Sequence, residues 1–363
     1  MKKILTVVGA RPQFIKAAVV SRVIREKYSD AICEIILHTG QHFDKQMSEV
    51  FFLELGITEP KYNLEVAGLS HGAMTGRMLE RIEEIIKVET PDYVMVYGDT
   101  NSTLAGALAA VKLHVKVIHI EAGLRSGNMK MPEEVNRIVT DRISDLLFCP
   151  TESSVRQLRD EGITDGVFNV GDVMYDASVY FSDRAKKESK ILESLNLRKP
   201  FALATCHRPA NTDDKETLTE IFRALDYLSS RIEVVIPLHP RTKKLIESYD
   251  ITHLMEHLVI TEPLSYLDML RLESAAEVII TDSGGVQKEA YFLGVPCVTM
   301  REDTEWSETV TSGWNVLVGS SFDRITDEVC KILNGDVNSN CAANVFGDAN
   351  SGEKIVFEIS NAN

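Results

Sequence analysis

Short apolar runs alternate along this chain with longer stretches whose apolar positions recur at helical spacing. In the first half, Ile4–Val8, Glu34–Leu37, Tyr93–Tyr97, Val117–Ile120, Leu146–Cys149 and Val167–Val170 predict strands. Gln13–Glu26, Ala73–Val88, Ser102–Leu113 and Glu133–Ile143 predict the helices between them. After Gly171 the pattern begins again, with strands predicted at Phe201–Thr205, Glu233–Leu238, Leu258–Thr261, Val278–Thr281 and Cys297–Met300. Helices are predicted at Thr217–Ser229, Tyr266–Glu273 and Val286–Leu293. Val- and Ile-rich runs that are apolar on both faces suit parallel sheets covered by helices on both sides.

The expectation is an α/β protein of two Rossmann-like, doubly wound domains facing across a cleft. An N-terminal domain is expected over 1–180 and a C-terminal one over 181–345, with the boundary in the charged segment Asp183–Lys199 or the helix before it. A polar tail, 346–363, is free to pack back on the first domain and carries a short helix near Glu353–Ile359. The length of 363 residues fits two cores better than one. In such sheets ligands bind beyond the carboxyl ends of the strands, where strand order reverses, so the chemistry is sought there.

Composition narrows the partners. The content is 44% hydrophobic and 26% charged, as in soluble globular proteins. No apolar run has the length of a membrane helix, so no membrane insertion is expected. The basic start followed by Ile4–Ala10 is a first strand rather than a signal peptide, because the run is short and Arg11 follows it. A net charge of −15 argues against nucleic acid or an anionic membrane as partner. Six scattered cysteines without a CxxC pair predict neither disulfides nor a cysteine zinc site, and a reduced, cytoplasmic location.

The candidate chemistry sits at strand ends. Thr281–Ala290, TDSGGVQKEA, follows the buried run Val278–Ile280. It reads as a strand that turns through Ser283, Gly284 and Gly285 into a helix. Adjacent glycines and unpaired N–H groups at a helix start form an anion cradle, most often for phosphate; the plain alternative is a turn with no ligand. The first strand ends in GARPQFIK, placing Arg11 and Lys16 at a helix start where two cations suit a diphosphate. Solvated surface charges are the commoner fate of such residues. His207 and Arg208 follow one strand of the second half and His239 the next, each suited to a phosphate or to proton transfer.

Asp99 and Glu121 each follow a buried strand, where a carboxylate is costly unless used or paired. Glu133 opens a helix in MPEEVNR; for Glu134 capping or solvent is favoured. Two carboxylates in one cleft can separate their pKa values and serve as base and acid. His119 faces into its strand and reads as a satisfied core residue. Glu289, on the helix after the cradle, suits a ribose diol or plain solvent. No turn carries GxGxxG, which weighs against nicotinamide chemistry, and no HExxH, DxD pair or Walker motif appears. The expectation is no cofactor and no metal.

Taken together, GARPQFIK, TGQH, GDTNSTLAGALAA, HIEAGLRS, MPEEVNR, Thr205–Arg208, HPR, TDSGGVQKEA and the pattern from Asp303 to Gly313 resemble the non-hydrolysing UDP-N-acetylglucosamine 2-epimerase family. The motifs run in order over nearly the whole chain. The resemblance implies domains arranged as in the GT-B glycosyltransferases, a homodimer, and inversion at C2 of a UDP-sugar substrate for a bacterial surface polysaccharide. In that family UDP is eliminated to leave an enzyme-held glucal and then adds back after a proton reaches the other face of C2. Carried over, Arg11, Lys16 and His207 match positions that hold or release the diphosphate. Ser283, Gly284 and Gly285 match the phosphate cradle, and Glu289 the ribose contact. Asp99, Glu121 and Glu133 match the carboxylates that handle protons at C2, with base and acid left open.

Several positions depart from the family pattern. Trp306 stands where an Arg is common, Ala210 where a Glu is usual, and Met269 where an aromatic often lies near the uracil. They bear on the sugar more than on the reaction. GARPQFIKAAVVSR, MSEVFFLELGI and DTEW look closest to the branch acting on UDP-2,3-diacetamido-2,3-dideoxy-glucuronate. A GT-B glycosyltransferase shares the expected fold but needs an acceptor. A catalytically inactive nucleotide-sugar sensor would bind without chemistry at C2.

Overall fold

The structure, a computed structural model, describes residues 1–41, 52, 54–197, 200–336 and 345–362. His42 of the TGQH motif, most of MSEVFFLELGI before Leu55, and part of the Asn-rich tail segment lie outside the described residues. The chain divides into two compact units, Met1–Ala177 with Asn344–Asn363, and Ser178–Ala343, the division falling inside the helix Val173–Glu188.

Among the described residues the first unit has a parallel sheet of β1 (Lys2–Val8), β2 (Ile32–His38), β3 (Tyr62–Asn63), β4 (Tyr93–Tyr97), β5 (Lys116–Ile120), β6 (Leu146–Cys149) and β7 (Val167–Asn169). Their order is β3-β2-β1-β4-β5-β6-β7. The sequence therefore reverses direction between β1 and β4, which pair in parallel with Ile4 opposite Tyr93. Leu5, Val7, Val94 and Val96 are fully buried beneath Ala105, Ala107, Ala109 and Ala110 of the helix Asn101–Lys112. Small residues bring that helix close: a Cβ on Gly106 would lie 3.0 Å from Val96 Cγ1.

The C-terminal helix Ser351–Asn361 belongs to this unit and packs on the helix Arg11–Lys27. Gly352 lets it approach, since a Cβ there would come within 2.7 Å of Val19 Cγ1. Gly352 N donates to Asp176 Oδ2 at 2.8 Å, and Lys2 Nζ donates to the carbonyl of Ile359 at 2.8 Å. Long-range hydrogen bonds such as these, with the close packing of Gly352 on Val19, anchor a segment whose composition alone reads as loose.

The second unit repeats the architecture with β8 (Phe201–Thr205), β9 (Glu233–Pro237), β10 (Val259–Thr261), β11 (Val278–Thr281), β12 (Cys297–Thr299) and β13 (Asn315–Leu317). The described strands run β10-β9-β8-β11-β12-β13, again all parallel. Here the order reverses between β8 and β11. One face of the sheet is closed by Leu218, Ile221, Phe222, Leu225, Ile325 and Val329 from the helices Lys215–Ser229 and Phe322–Leu333. Truncating one of these to Ala would cost about 2–5 kcal/mol through lost burial and the cavity left behind.

Both sheets are doubly wound α/β layers, as the alternation predicts. Each reversal point opens a crevice at the carboxyl ends of the flanking strands. Gly9–Lys16 and Asp99 follow β1 and β4. His207–Arg208 and Ser283–Gly285 follow β8 and β11. Among the described residues no helix is long and apolar enough to cross a membrane.

Candidate active site

In the first unit the turn after β1 must pass close to its neighbours, and Gly9 permits it. A Cβ there would sit 2.1 Å from Thr39 Oγ1 and 2.2 Å from Ser102 Oγ. Gln13 then locks the turn. Its carbonyl accepts from Gly9 N at 2.8 Å and Ala10 N at 3.0 Å, while its amide donates to the Tyr97 carbonyl at 2.7 Å and to Thr103 Oγ1 at 3.0 Å. One side chain thus ties the ends of β1 and β4 together. Gln13 was not anticipated from sequence, though its place three residues into a helix is where a back-reaching amide belongs.

On the next turn of that helix Lys16 is buried and donates to Glu121 Oε2. Glu121 follows β5 with φ +72, a left-handed conformation costing a non-glycine residue about 1 kcal/mol or more. The Phe148 carbonyl, accepting from both Glu121 N and Ala122 N at 3.0 Å, holds it there. The pair lies against Gly98: a Cβ on that residue would be 3.1 Å from Glu121 Oε2 and 3.4 Å from Lys16 Nζ.

Asp99, immediately after Gly98, receives Arg137 Nη1 on Oδ2 at 2.5 Å, and its own carbonyl accepts from Asn136 Nδ2 at 2.8 Å. Its pKa is raised. Burial among protein atoms is the main cause, Arg137 opposes it, Glu121 adds to it, Lys16 opposes, and Glu133 adds. The side chain nevertheless keeps an open edge, being 34% exposed. Asp99, Glu121, Glu133 and Lys16 are therefore within one electrostatic neighbourhood.

Glu134 is a different case from its neighbour Glu133. Rather than facing solvent it is buried, accepts from Ser126 N and Gly127 N, and takes Arg137 Nε at 3.0 Å and Nη2 at 2.8 Å. Burial pushes its pKa up, but those backbone donors and Arg137 outweigh burial and hold it low. Glu134 thus aims Arg137 at Asp99. Arg137 and Asn136 were missed in sequence, although Arg137 stands one helical turn after Glu134, the spacing at which such pairs meet.

In the second unit Asp282 organises the crevice. It directly follows β11, is fully buried, and its Oδ2 accepts from His207 N and Arg208 N at 2.9 Å and from Asn211 Nδ2 at 3.3 Å. Its Oδ1 lies 3.1 Å from His207 Nδ1. Burial would raise the Asp282 pKa; His207 and the two backbone donors overcome this and lower it. The side chain of His207 stays about half exposed, with Nδ1 held against Asp282. Asp282 carries the same signal that marks Asp99 and Glu121, an acid at the end of a buried strand, and was not singled out.

Ser283 caps the helix Gly284–Leu293. Gly284 lies under the Glu305 carboxylate, for a Cβ there would come within 2.4 Å of Glu305 Oε1; around Gly285 there is room. Glu305 is paired to Arg301 Nη2 at 2.9 Å, and Arg208 Nη2 is 3.8 Å from its other oxygen. Burial raises the Glu305 pKa, and Arg301 followed by Arg208 reverses that and lowers it. Glu289 is buried rather than surface-bound, close enough to Tyr266 to help burial push that hydroxyl's pKa well up. His239 is exposed and accepts from Arg241 N at 3.2 Å. Burial, then His207 and Arg241, lower its pKa. Lys288 is buried with its ammonium 3.8 Å from the ring centre of Trp306.

The first unit thus offers a group of carboxylates beside a buried cation. Arg11, half-buried, opens the helix that carries Gln13 and Lys16. The second unit offers glycine-lined helix N–H groups, a histidine and two arginines, a set suited to a diphosphate.

Comparison with known proteins gives the family. A sequence model of the UDP-N-acetylglucosamine 2-epimerase family matches residues 26–360. The UDP-2,3-diacetamido-2,3-dideoxy-D-glucuronate 2-epimerase of Pseudomonas aeruginosa is 54% identical over 329 residues, 90% of each chain. A UDP-N-acetylglucosamine 2-epimerase homolog of Methanococcus maripaludis is 51% identical over 99% of each. The crystal structure of the Methanocaldococcus jannaschii UDP-GlcNAc 2-epimerase in complex with UDP-GlcNAc and UDP superposes with a TM-score of 0.91 at 40% identity, covering 100% of both chains.

Proposed function

The chain belongs to the UDP-N-acetylglucosamine 2-epimerase family, and on that premise we propose that it inverts C2 of UDP-2,3-diacetamido-2,3-dideoxy-glucuronate. The observation that carries the choice of sugar is the 54% identity to the Pseudomonas aeruginosa enzyme of that specificity. A product destined for a bacterial surface polysaccharide, a cytoplasmic location and a homodimer complete the reading.

The C2 proton has no neighbouring carbonyl to acidify it, so direct deprotonation and return is too slow to serve. Loss of the diphosphate provides the route. A carboxylate from the Asp99, Glu121 and Glu133 group takes the C2 proton, and the C1–O bond breaks with its electron pair leaving on UDP. The resulting glucal-type alkene is held while a second acid of the same group delivers a proton to the opposite face of C2. UDP oxygen then re-forms the bond to C1, so no atom is gained or lost. The developing charge on the diphosphate is met by His207, Arg208, Arg11 and Lys16 and by the N–H groups beside Ser283, Gly284 and Gly285. Glu289 takes the ribose hydroxyls, and His239, kept neutral, serves as a hydrogen-bond partner to the phosphates. The raised pKa of Asp99, which Glu121 and Glu133 help to push up, supports a proton-handling role for this group.

Proton NMR in deuterated water tests the proposal. The chain is incubated with UDP-2,3-diacetamido-2,3-dideoxy-glucuronate and, separately, with UDP-GlcNAc. Deuterium at C2 with a manno product from the uronate is expected. Exchange with UDP-GlcNAc alone would overturn the sugar assignment, and saturable UDP binding without exchange in either would overturn the epimerase reading.

A further inference from the structure

The group His119–Asp141 sits at the centre of the first unit, and both side chains are fully buried. His119, on β5, has Nδ1 2.7 Å from Asp141 Oδ1 and directs Nε2–H to the Gly98 carbonyl at 2.7 Å. Asp141 Oδ2 accepts from Gly123 N at 3.1 Å and from Arg125 Nη1 at 2.7 Å. Arg125 is held in turn by a fork of two 2.8 Å hydrogen bonds to Glu161.

The backbone groups that make these bonds are not scattered. Gly98 immediately precedes Asp99, and Gly123 follows Glu121 by two residues. Both glycines are left-handed, with φ +62 and +79, so each turn has a conformation that needs holding. Asp141 lies on the helix Pro132–Ile143, which also sends Asn136 to the Asp99 carbonyl and Arg137 to the Asp99 carboxylate. One helix therefore fixes Asp99 from two sides, directly through Asn136 and Arg137, and through His119 at the residue before it.

We propose that His119 and Asp141 are positioning residues for the epimerisation, setting the Asp99 turn against the Glu121 turn. The alternative is a core histidine that merely has its hydrogen bonds satisfied. Physical cost argues against that alternative. Burying an ionisable pair and a neighbouring arginine is expensive, and apolar side chains of similar volume usually fill such a space as well or better. What an apolar filling cannot do is hold a carbonyl and an amide of two separate turns in one register. A reacting group displaced by about 1 Å loses about a hundredfold in rate, so that register is worth its burial.

The inference rests on the proposed function. Its test uses His119→Asn, His119→Gln and the wild-type chain in the C2 deuterium-exchange assay, with UDP binding measured alongside. The Gln amide reaches the place of Nε2 and keeps a donor for Gly98; the Asn amide reaches only the place of Nδ1 and loses it. We expect kcat to fall about a hundredfold in His119→Asn and less than about tenfold in His119→Gln, with KM and UDP affinity unchanged within about threefold. Ile82→Val, a conservative change in the same core, sets the loss that destabilisation alone produces and is expected to leave kcat unaltered. If His119→Asn does not fold, Asp141→Asn carries the test, because its NH2 opposes the donors on one side. The same kcat-selective loss is expected. Equal losses in the Asn and Gln variants, a rise in KM matching the fall in kcat, or wild-type kcat in the variant tested would overturn the positioning role. A wild-type chain that shows no exchange would overturn the underlying function as well, which separates the two failures.

Discussion

Lys16 and Glu121, 105 positions apart, meet as an ion pair whose side chains are only 9% and 7% exposed. Such a pair is a poor source of net stability, because desolvation consumes most of its attraction, yet removing one partner strands the other. Lys16→Met and Glu121→Gln should each destabilise the first unit by about 3–5 kcal/mol. The double variant should lose clearly less than the sum. Chemical denaturation of all four chains measures this; additive losses would mean that the two groups are not paired in solution.

Asp99 stands between a cation and other carboxylates, so its protonation can be tuned from Arg137. Burial raises its pKa first of all, and Arg137 is the strongest influence pulling it back. Arg137→Gln removes that influence, and the Asp99 pKa rises further. If Asp99 works ionised, the acid limb of the kcat–pH profile should move to higher pH. Asp99→Asn should cut C2 exchange by about 10²–10⁴-fold while UDP still binds. An acid limb unmoved in Arg137→Gln would remove Asp99 from the titrating step.

The strand ends were legible because a buried parallel strand is a short apolar run, and a polar residue directly after such a run is conspicuous. Tyr93–Tyr97, Leu146–Cys149, Phe201–Thr205 and Val278–Thr281 coincide with their predicted spans for that reason. The edge strands Tyr62–Asn63 and Asn315–Leu317 did not announce themselves, being too short to show a period. The helix Val173–Glu188 was expected only as an unbounded helix before the charged segment, into which it runs, and the amphipathic helix Phe322–Leu333 went unassigned. In the proposed site, the candidate residues at strand ends stand out by type and place. Those that hold them were not. Gln13 and Arg137 have local partners that spacing can suggest, but their bonds to Tyr97 and Asp99, like those of Asp141 to His119 and of Asp282 to His207, join residues distant in sequence, which no local spacing encodes.

Glu89 gives the first unit an acid-sensitive anchor. Its carboxylate is buried and bound by Lys3, Lys61 and Tyr62, which together lower its pKa from 4.5 to about 2. A carboxylate depressed in this way stabilises the fold above its unfolded pKa, and the contribution is lost as pH falls from about 4.5 toward about 2. Lys61 is more than half exposed, so screening reduces the effect to about 1–2 kcal/mol. Glu89→Gln should flatten the stability–pH curve of the first unit in that window. A curve parallel to wild type there would show that the anchor does not form.

Asp282 is expected to govern diphosphate affinity without touching the ligand. It holds the backbone of His207 and Arg208 through one oxygen and faces the His207 ring with the other. Asp282→Asn removes the negative charge behind these bonds and puts an NH2 in place of one oxygen, weakening the hold on both residues. UDP affinity by calorimetry should fall about 10–100-fold, in keeping with the loss of charge-assisted hydrogen bonds at a buried site. Unchanged affinity in a folded Asp282→Asn chain would detach His207 and Arg208 from diphosphate binding.

The two cradle glycines should respond differently to alanine. At Gly284 a methyl group would lie 2.4 Å from Glu305 Oε1 and 3.3 Å from Trp306 Nε1, and Glu305 is tied to Arg301, so little can give. Gly284→Ala should therefore cost stability even without ligand, by about 1–3 kcal/mol as overpacking usually does. At Gly285 the nearest atom is Ser283 Oγ at 3.8 Å, and the backbone is helical, where alanine is the better residue by about 1 kcal/mol. Gly285→Ala should then fold as well as wild type or better. If diphosphate oxygens close on this helix start, the same methyl occupies their approach, and UDP affinity should drop about tenfold or more. Thermal unfolding with and without UDP reads both quantities in each variant. A Gly285→Ala chain that is stabilised and still binds UDP as wild type does would place the diphosphate away from these glycines.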